Sequence, residues 1–322
     1  MNINQSGRII LFITLIIIIL PYSLWAKTIY VSPSGNDDNQ GTKDKPVATF
    51  ARAQILARQS SNKEPVDVVF EKGVYYLPQS IQFTSDDCIG RNAPVTYMSE
   101  TEGDAVISGG SLLKLNWETY KNGIYVANIP ENLFIDQLYV NGKRQRMARF
   151  PNAVRNRNVF DTWELNHSPE YELSNDPLTA SRVASWKNPE GGFIHAMHNA
   201  LWGDMHWIIK GKQNDSTLIY EGGWQNNRPS RMHPVYRMVE NIFEELDATE
   251  EWFFDATRQK LYYMPQSDIN LKSAKIEVVR LKTLIVFNGS KDTPVRSIKL
   301  KGFLFRHAAR TFMENKEQYQ QW

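Results

Sequence analysis

The sequence predicts a mainly β protein, and three observations support this. Residues 66–110 hold five short runs rich in β-branched and aromatic residues, each closed by Gly, Pro, Asn or Asp. No helical pattern interrupts those runs, and two later segments, 133–152 and 250–265, have the pattern of β-hairpins. Short strands at near-regular spacing are typical of a sandwich, a barrel or a β-solenoid, and the residue pattern leaves all three open.

The composition is that of a globular chain without a dominant charge. The 322 residues are enough for one large domain or two ordinary ones, and 42% of them are hydrophobic. The formal net charge is +2 with both signs mixed, so we predict no nucleic-acid partner, which would require a dense basic stripe. The nine Trp can stack on sugar rings but more often fill a core. The sole cysteine, Cys88, excludes an internal disulfide and is predicted to be a buried thiol.

The first 26 residues predict an export signal. Arg8 precedes an apolar run over residues 9–20, and a small residue, Ala26, follows. The run is shorter than the ~20 residues of a membrane span. We therefore expect cleavage near Ala26 and a secreted or periplasmic protein with no stable membrane span. An uncleaved anchor stays open, because Leu24 is a poor small residue for a cleavage site.

The mature chain opens on residues 30–54, YVSPSGNDDNQGTKDKPVATFARAQ, which predict a strand, a polar turn and a helix. The helix is expected over 46–60, with Pro46 in its first turn and Ile55 among its apolar positions. The aspartates of the turn suit Asx turns in a solvated loop better than a calcium site. Further strands are predicted at 66–70, 73–77, 80–83, 95–99, 105–110, 274–281, 283–289 and 295–307.

Residues 113–272 are predicted to form a separate β-rich subdomain. Their first hairpin lies at 133–152 and turns at Asn141-Gly142, the strongest short hairpin signal. Their second hairpin lies at 250–265 and also has aromatic strands. This region lacks the even spacing of the short strands on either side, which favours a division of the chain into two kinds of β structure.

Five segments together carry a resemblance to a known family. Residues 30–54 resemble the N-terminal cap of secreted right-handed parallel β-helix proteins that act on polysaccharides, the pectin-lyase-like superfamily. The segments DQLYVNGKRQRMARFPN, HNALWGDMHW, EWFFDATRQKLYYMP and IKLKGFLFRHAA resemble one branch of them. That branch is the glycoside hydrolases of the α-L-fucosidase/xylanase type, which carry an inserted β domain. The resemblance covers essentially the whole mature chain in order.

The resemblance implies a right-handed parallel β-helix interrupted by an inserted antiparallel β-rich domain. The implied divisions are a signal peptide at 1–26, an N-terminal cap with the first coils at 27–112, the insertion at 113–272 and returning, incomplete coils at 273–322. Resembling proteins continue for further coils that carry the catalytic carboxylates. We therefore expect the chain, which ends at Trp322, to be truncated, with its catalytic residues beyond that position.

The implied function is that of an exported polysaccharide-degrading protein. The resemblance favours a glycoside hydrolase acting on a complex plant or algal polysaccharide, inactive if the chain is truncated. Two alternatives stay open: a non-catalytic polysaccharide-binding β-helix module and a polysaccharide lyase acting on uronate-containing chains. The partner is a polysaccharide or oligosaccharide in each case, and no cofactor is predicted.

Six residues are predicted to bind the sugar substrate, because Trp faces can stack on sugars and His or Arg can donate hydrogen bonds. The competing interpretation is a buried aromatic layer between the insertion and the coils, which is the more common fate of such residues. The three histidines have the spacing H-x2-H-x7-H, which matches no standard zinc pattern, so no metal site is predicted. The six candidates are His195, His198, Trp202, His206, Trp207 and Arg149.

Two further sets of charged residues are of the types that glycoside hydrolases and polysaccharide lyases use. Glycoside hydrolysis needs two carboxylates, about 5 Å or about 6.5–9.5 Å apart. Residues 240–255 contain several carboxylates, but their spacing selects no pair, and they are predicted to form a charged solvated turn. Arg144, Arg146 and Arg149 can neutralise a uronate in a lyase, but they are predicted to line a hairpin and contact solvent or backbone. The carboxylates are Glu240, Glu244, Glu245, Asp247, Glu250, Glu251 and Asp255.

Overall fold

The structure is a computed structural model that describes residues 26–130, 133–153, 176–201, 203–225, 228–229 and 231–311. These residues are mainly β, as predicted, with 25 strands in seven sheets. The predicted signal peptide lies outside the described residues except for Ala26. Of the helices in the described part of the chain, none has the length and apolar character needed to cross a membrane.

The strands and α-helices follow one another along the chain in a fixed order, from an N-terminal strand to a short strand near residue 306. They are β1 (Lys27–Val31), α1 (Phe50–Arg58), β2 (Val66–Phe70), β3 (Gly73–Tyr76), β4 (Ile81–Thr84), β5 (Val95–Ser99), β6 (Ala105–Ser108), β7 (Gly110–Leu113), β8 (Glu118–Lys121), β9 (Ile124–Asn128), β10 (Gln137–Val140), β11 (Lys143–Arg144), β12 (Arg146–Met147), β13 (Arg149–Phe150), α2 (Ala180–Ser185), β14 (Phe193–His198), β15 (Asp204–Asn214), β16 (Thr217–Gly222), β17 (Trp224–Gln225), β18 (Arg228–Pro229), β19 (Met232–Glu240), β20 (Glu251–Asp255), β21 (Lys260–Met264), β22 (Ile276–Val279), β23 (Ile285–Asn288), β24 (Ile298–Lys301) and β25 (Leu304–Arg306).

Nine of these strands form three parallel sheets. The first sheet has the order β1-β2-β5-β24, the second β25-β6-β3 and the third β23-β4. The chain visits them in rotation, since β2, β3 and β4 lie in the first, second and third sheet, and β5 and β6 return to the first and second. In the first sheet Val66 pairs with Val95, and Val95 pairs with Ile298, so strands distant in sequence share one register. The right-handed parallel β-helix that the resemblance implies stays a prediction at this point.

The three parallel sheets share one hydrophobic core. Along β2, Val66, Val68 and Phe70 are fully buried, and the residues between them are half-buried, as the alternation of a strand requires. From α1, Phe50 stacks on Tyr97 of β5 with ring centroids 4.9 Å apart. The helix thus contributes an aromatic ring to the centre of the core.

The N-terminal helix begins later than predicted. Its first residue is Phe50, because the hydroxyl of Thr49 accepts a hydrogen bond from the backbone N–H of Arg52 and caps the first turn there. Pro46 lies before this cap and outside the helix. Ile55, predicted among the apolar positions, is 42% exposed, because the face that packs on the core runs through Phe50 and two small alanines instead.

The remaining sheets are antiparallel apart from the pairing of β12 with β20. The first predicted hairpin, at 133–152, is confirmed only around its turn, where β10 pairs with β11 across Asn141 and Gly142, whose φ angles are 51° and 79°. Positive φ at both turn residues is what the favoured two-residue hairpin loop demands. The residues that follow, in β12 and β13, pair with β20 and β19 instead. The second predicted hairpin is confirmed as well, with Phe254 of β20 opposite Leu261 of β21.

One buried carboxylate lies where the parallel sheets meet the antiparallel region. Glu277 of β22 is fully buried, and β22 pairs with β7, the strand that directly follows β6. Its carboxylate accepts hydrogen bonds from the Tyr76 hydroxyl at 2.6 Å and from Arg306 Nη2 at 2.9 Å. Lys275 Nζ lies 3.1 Å away. These contacts tie β3 and β25 of the second parallel sheet to β22. The predicted domain boundaries at 112 and 273 stay a prediction.

Candidate functional site

A cavity of about 540 Å³ opens in the antiparallel region and is lined mainly by polar side chains. Its walls come from the start of β10 and the residue before it, from β11 to β13, from β14 and β15, from β19 and β20, and from the end of the described chain. The lining carboxylates are Asp136, Asp204 and Glu240. The lining cations and imidazoles are Arg144, Arg146, Arg149, Arg310, His195 and His206.

Strand register brings the two histidines together. His195 of β14 stands directly opposite His206 of β15 in the antiparallel pair. Opposed residues project to the same face of a sheet, and the two rings meet with their Nδ1 atoms 2.7 Å apart. Strand β19 flanks β14 on the other side and supplies Glu240. Three neighbouring strands of one sheet therefore build this wall of the cavity.

Glu240 joins the histidines to an arginine. Its Oε1 accepts a hydrogen bond from Arg310 Nη1 at 2.6 Å. The same oxygen lies 3.0 Å from His195 Nε2, an ion-pair distance without hydrogen-bond alignment. Burial by itself would raise the pKa of Glu240, but His195 and Arg310 outweigh that effect and hold the pKa well below its usual value. Glu240 is therefore an ionised carboxylate at neutral pH.

Arg310 is held from two sides. Asp136 accepts hydrogen bonds from the backbone N–H of Arg310 at 2.9 Å and from its Nε at 3.0 Å, while Glu240 binds its Nη1. The guanidinium also lies over the ring of Phe193, 5.3 Å from the centroid. Two carboxylates and an aromatic face thus fix the position of this cation in the cavity wall.

His206 is neutral at ordinary pH. Burial, and then the neighbouring His195, lower the pKa of His206 from 6.5 to about 3. Its Nε2 lies 3.7 Å from a carboxylate oxygen of Asp204. We assign the proton of the neutral ring to Nε2, which faces the carboxylate, so that Nδ1 accepts a hydrogen bond from His195 Nδ1.

Acidification is expected to destabilise the protein through His206. The folded pKa lies below the unfolded one, so the unfolded chain binds a proton that the folded protein excludes. The stabilising contribution is complete above pH 6.5 and is lost progressively as the pH falls toward 3. His206→Asn removes the titrating ring and is expected to show a shallower fall in unfolding free energy between pH 6.5 and about 4 in urea denaturation. Equal slopes for both proteins would contradict this.

The structure brings together three of the six predicted substrate-binding residues. His195, His206 and Arg149 line the cavity. Trp207 is 4% exposed and belongs to a hydrophobic cluster with Trp186, away from the cavity lining. His198 lies at the end of β14, where its Nδ1 accepts a hydrogen bond from the backbone N–H of Ala200 at 2.9 Å. Trp202 lies outside the described residues.

The interpretation of residues 240–255 as a charged solvated turn is wrong for several members. Glu240 lines the cavity, and Glu245 and Glu251 are 4% and 2% exposed. Both carboxylate oxygens of Glu245 accept hydrogen bonds from Arg182 Nη1, and its Oε1 also accepts one from the indole N–H of Trp186 at 2.7 Å. Glu240 and Glu245 are enclosed because cations and donors from other segments meet them, which charge density along the sequence does not reveal. Glu251 instead accepts a local hydrogen bond, from the backbone N–H of Ala248.

The predicted contacts of the three arginines with solvent or neighbouring backbone are confirmed, since Arg149 Nε donates to the carbonyl of Pro151, but the burial of Arg149 was not predicted. Arg144 and Arg146 are exposed, but Arg149 is 4% exposed and lies in the cavity wall. Sequence reasoning also missed Asp136 and Arg310. Asp136 lies inside the first predicted hairpin and Arg310 just after the last predicted strand, but nothing in the local pattern joins two residues that are so far apart in the chain.

Among the described residues, no group of three His, Cys, Asp or Glu side chains is placed to hold a metal ion. The absence of a metal site stays a prediction, as does the absence of a cofactor. The chemistry that the cavity offers is that of hydrogen-bond donors and acceptors. Guanidinium, imidazole and carboxylate groups converge on one space, and such groups suit a polar ligand with many hydroxyls.

Comparisons with known proteins find a solved structure of the same fold. No protein-family model matches the chain. The uncharacterized protein YwoF of Bacillus subtilis (strain 168) is 32% identical over 141 residues, which cover 39% of this chain and 28% of YwoF. A solved structure described as a glycoside hydrolase has a TM-score of 0.68 at 22% sequence identity and covers 88% of this chain. A second structure, the complex of XylC with xylose, has a TM-score of 0.42 at 15% identity and covers 88% of this chain and 36% of its own.

The first of these structures shows the fold of the chain. The match extends over 51% of that glycoside hydrolase, so the chain spans about half the length of the structure that it matches. The chain therefore has the fold of one part of a glycoside hydrolase.

Proposed function

We propose that this protein is an exported carbohydrate-active protein of the glycoside hydrolase type, acting on a complex plant or algal polysaccharide. The observation that carries the proposal is the match in fold to a glycoside hydrolase over 88% of the chain. Because one fold serves many functions, the site must support the proposal separately. The cavity does so, since its volume lies within the usual range for small-ligand sites and its walls supply donors and acceptors for sugar hydroxyls.

We further propose that the three parallel sheets are coils of a right-handed parallel β-helix of the pectin-lyase-like kind. The rotation of the chain through three parallel sheets supports this, as does the shared register of β2, β5 and β24. In this proposal residues 27–112 are the cap and first coils, 113–272 the inserted domain and 273–322 the returning coils. Export rests on the basic and apolar pattern of the first 26 residues.

The cavity is proposed to bind a sugar unit, and we assign no catalytic residue within it. A glycosidase needs one carboxyl that is protonated and one that is ionised. Glu240 is ionised and committed to Arg310, so it does not supply the acid. Burial, and then Asp247, raise the pKa of Glu251 to about 8, but this carboxyl is 2% exposed and does not line the cavity. The geometry therefore favours recognition of a saccharide over bond cleavage at this position.

The test is turnover and binding with a panel of plant and algal polysaccharides. New reducing ends without an unsaturated product identify a hydrolase, and an ultraviolet-absorbing unsaturated product identifies a lyase. Binding without turnover identifies a polysaccharide-binding module, the alternative that the cavity also suits. Absence of both binding and turnover across the panel would reject the proposal.

A variant tests whether the cavity is the binding site. Glu240→Gln removes the charge that holds Arg310 in place, and we expect roughly tenfold weaker saccharide binding in calorimetry, since roughly 1.4 kcal/mol corresponds to tenfold. Glu221→Gln on the exposed strand β16 is the matched control and should leave binding unchanged. Equal affinities of the two variants would place the sugar elsewhere on the protein.

A further inference from the structure

We propose that the cavity binds an acidic saccharide and that Arg149 binds its anionic group, a carboxylate or a sulfate. This inference rests on the function proposed above and names its substrate class. It starts from a buried guanidinium in the cavity wall that forms no ion pair with any of the described residues.

The contacts of Arg149 are with weak or neutral acceptors. Its Nε donates a hydrogen bond to the carbonyl of Pro151 at 2.9 Å, and its Nη2 donates to the thioether sulfur of Met238 at 2.8 Å. A thioether is a weak acceptor. Arg149 is 4% exposed and lines the cavity. A buried cation without an anionic partner is costly, so an anion entering the cavity would gain a charge-assisted hydrogen bond and relieve that cost.

Glu240 and Glu251 both act electrostatically on Arg149, but neither forms an ion pair with it. Burial raises the pKa of Glu251 to about 8, so that carboxyl carries little charge at neutral pH. Glu240 stands opposite Arg149 in the register of β13 and β19, but its carboxylate binds Arg310 and lies beside His195. Asp136, the second carboxylate of this wall, also binds Arg310. Both carboxylates are therefore hydrogen-bonded to Arg310, and Arg149 is left without an ion pair among the described residues.

The cavity lining carries four arginines and three carboxylates, an excess of one positive charge when the histidines are not counted. Arg144 and Arg146 line the same cavity, and within the described part of the chain neither makes an ion pair. Burial lowers the pKa of Arg149 from its usual value, which is the response of a cation withdrawn from water. A concave wall with one sign of charge in excess concentrates ligands of the opposite sign. The planar guanidinium fork also matches a carboxylate or sulfate in two hydrogen bonds.

The test uses saccharide pairs that differ only in charge. One pair is an oligogalacturonate and its methyl ester, and the other is a sulfated oligogalactan and its desulfated form. We expect the unmodified protein to bind the charged member of at least one pair roughly tenfold more tightly in calorimetry. The pair that shows this preference identifies the anion as carboxylate or sulfate.

Three variants locate the effect. Arg149→Met should reduce the preference to about twofold or less by weakening only the charged member. Arg149→Lys keeps the charge but not the fork and should give an intermediate preference. Arg258→Met, at an exposed turn position, is the matched control and should retain the full preference. A merely structural role of Arg149 would instead weaken both members alike and lower the melting temperature without saccharide.

Several results would overturn the proposal. Equal binding of both members of each pair by the unmodified protein rejects an anion site while leaving sugar binding intact. Binding of no saccharide at all rejects the proposed function as well, so the two failures are distinguishable. Should Arg149→Met not fold, the salt dependence of the unmodified protein decides, because only the charged member should lose affinity as salt rises. Equal salt dependence for both members rejects the proposal.

Discussion

Glu277→Ala is expected to lower the free energy of unfolding by roughly 3 kcal/mol, the lower end of the cost of breaking a buried ion pair. The carboxylate is fully buried and is bound by Tyr76, Arg306 and Lys275. Alanine leaves these three donors without their shared acceptor. The cost lies at the lower end because the side chains of Lys275 and Arg306 are 43% and 30% exposed and can be rehydrated.

Urea denaturation of the variant and of two matched proteins measures this effect. Glu118→Ala on the exposed strand β8 is the control and should change stability little. Glu277→Gln keeps a hydrogen-bond acceptor for Tyr76 but not the charge, so its loss should lie between the two. A Glu277→Ala protein as stable as the control would show that this cluster does not hold the two parts of the fold together.

The contribution of Glu277 is expected to depend on pH. Burial by itself would raise its pKa, but the hydrogen bonds from Tyr76 and Lys275 and the charge of Arg306 lower it below the usual 4.5. A folded pKa below the unfolded one means that the stabilisation is present above the unfolded value and is lost as the pH falls through the folded value. The difference in stability between the unmodified protein and Glu277→Ala should therefore shrink in acid.

Phe70→Ala is expected to lower the free energy of unfolding by about 3–5 kcal/mol. Phe70 is fully buried, and its ring lies 5.0 Å from that of Phe50 and 5.1 Å from those of Tyr75 and Phe303. These neighbours come from α1, from β3 and from the segment between β24 and β25. Removing the ring opens a cavity among parts of the chain that cannot all close on it.

A smaller cavity at position 70 should cost less stability if the cavity is the cause of the loss. Phe70→Leu fills part of the space and should lose clearly less stability than Phe70→Ala in guanidinium denaturation. Phe287→Ala is the matched control, because Phe287 is 54% exposed and its truncation leaves no enclosed cavity. Similar losses for the buried and the exposed position would contradict a common core beneath the three parallel sheets.

The strands could be read from the sequence because their signals are local. The runs at 66–70 and 95–99 are strands at those residues, and the Asn141-Gly142 turn joins β10 to β11. A few neighbouring positions are enough to show the alternation of apolar and polar residues in a strand. A few positions also show the residue types that the backbone of a turn requires. The predicted start of α1 was less accurate, because Pro46 suggested a first helical turn there whereas the helix is capped at Thr49.

The candidate site could not be read in the same way, because its members meet only in the folded chain. The placement of Glu240 in the cavity wall depends on Arg310 from the far end of the described chain, and the burial of Glu245 depends on Arg182. Whether a carboxylate is solvated or enclosed is decided by such partners and not by its neighbours in sequence. Fold class and strands thus follow from local patterns, whereas the cavity and the placement of Arg149 in its wall follow from long-range packing.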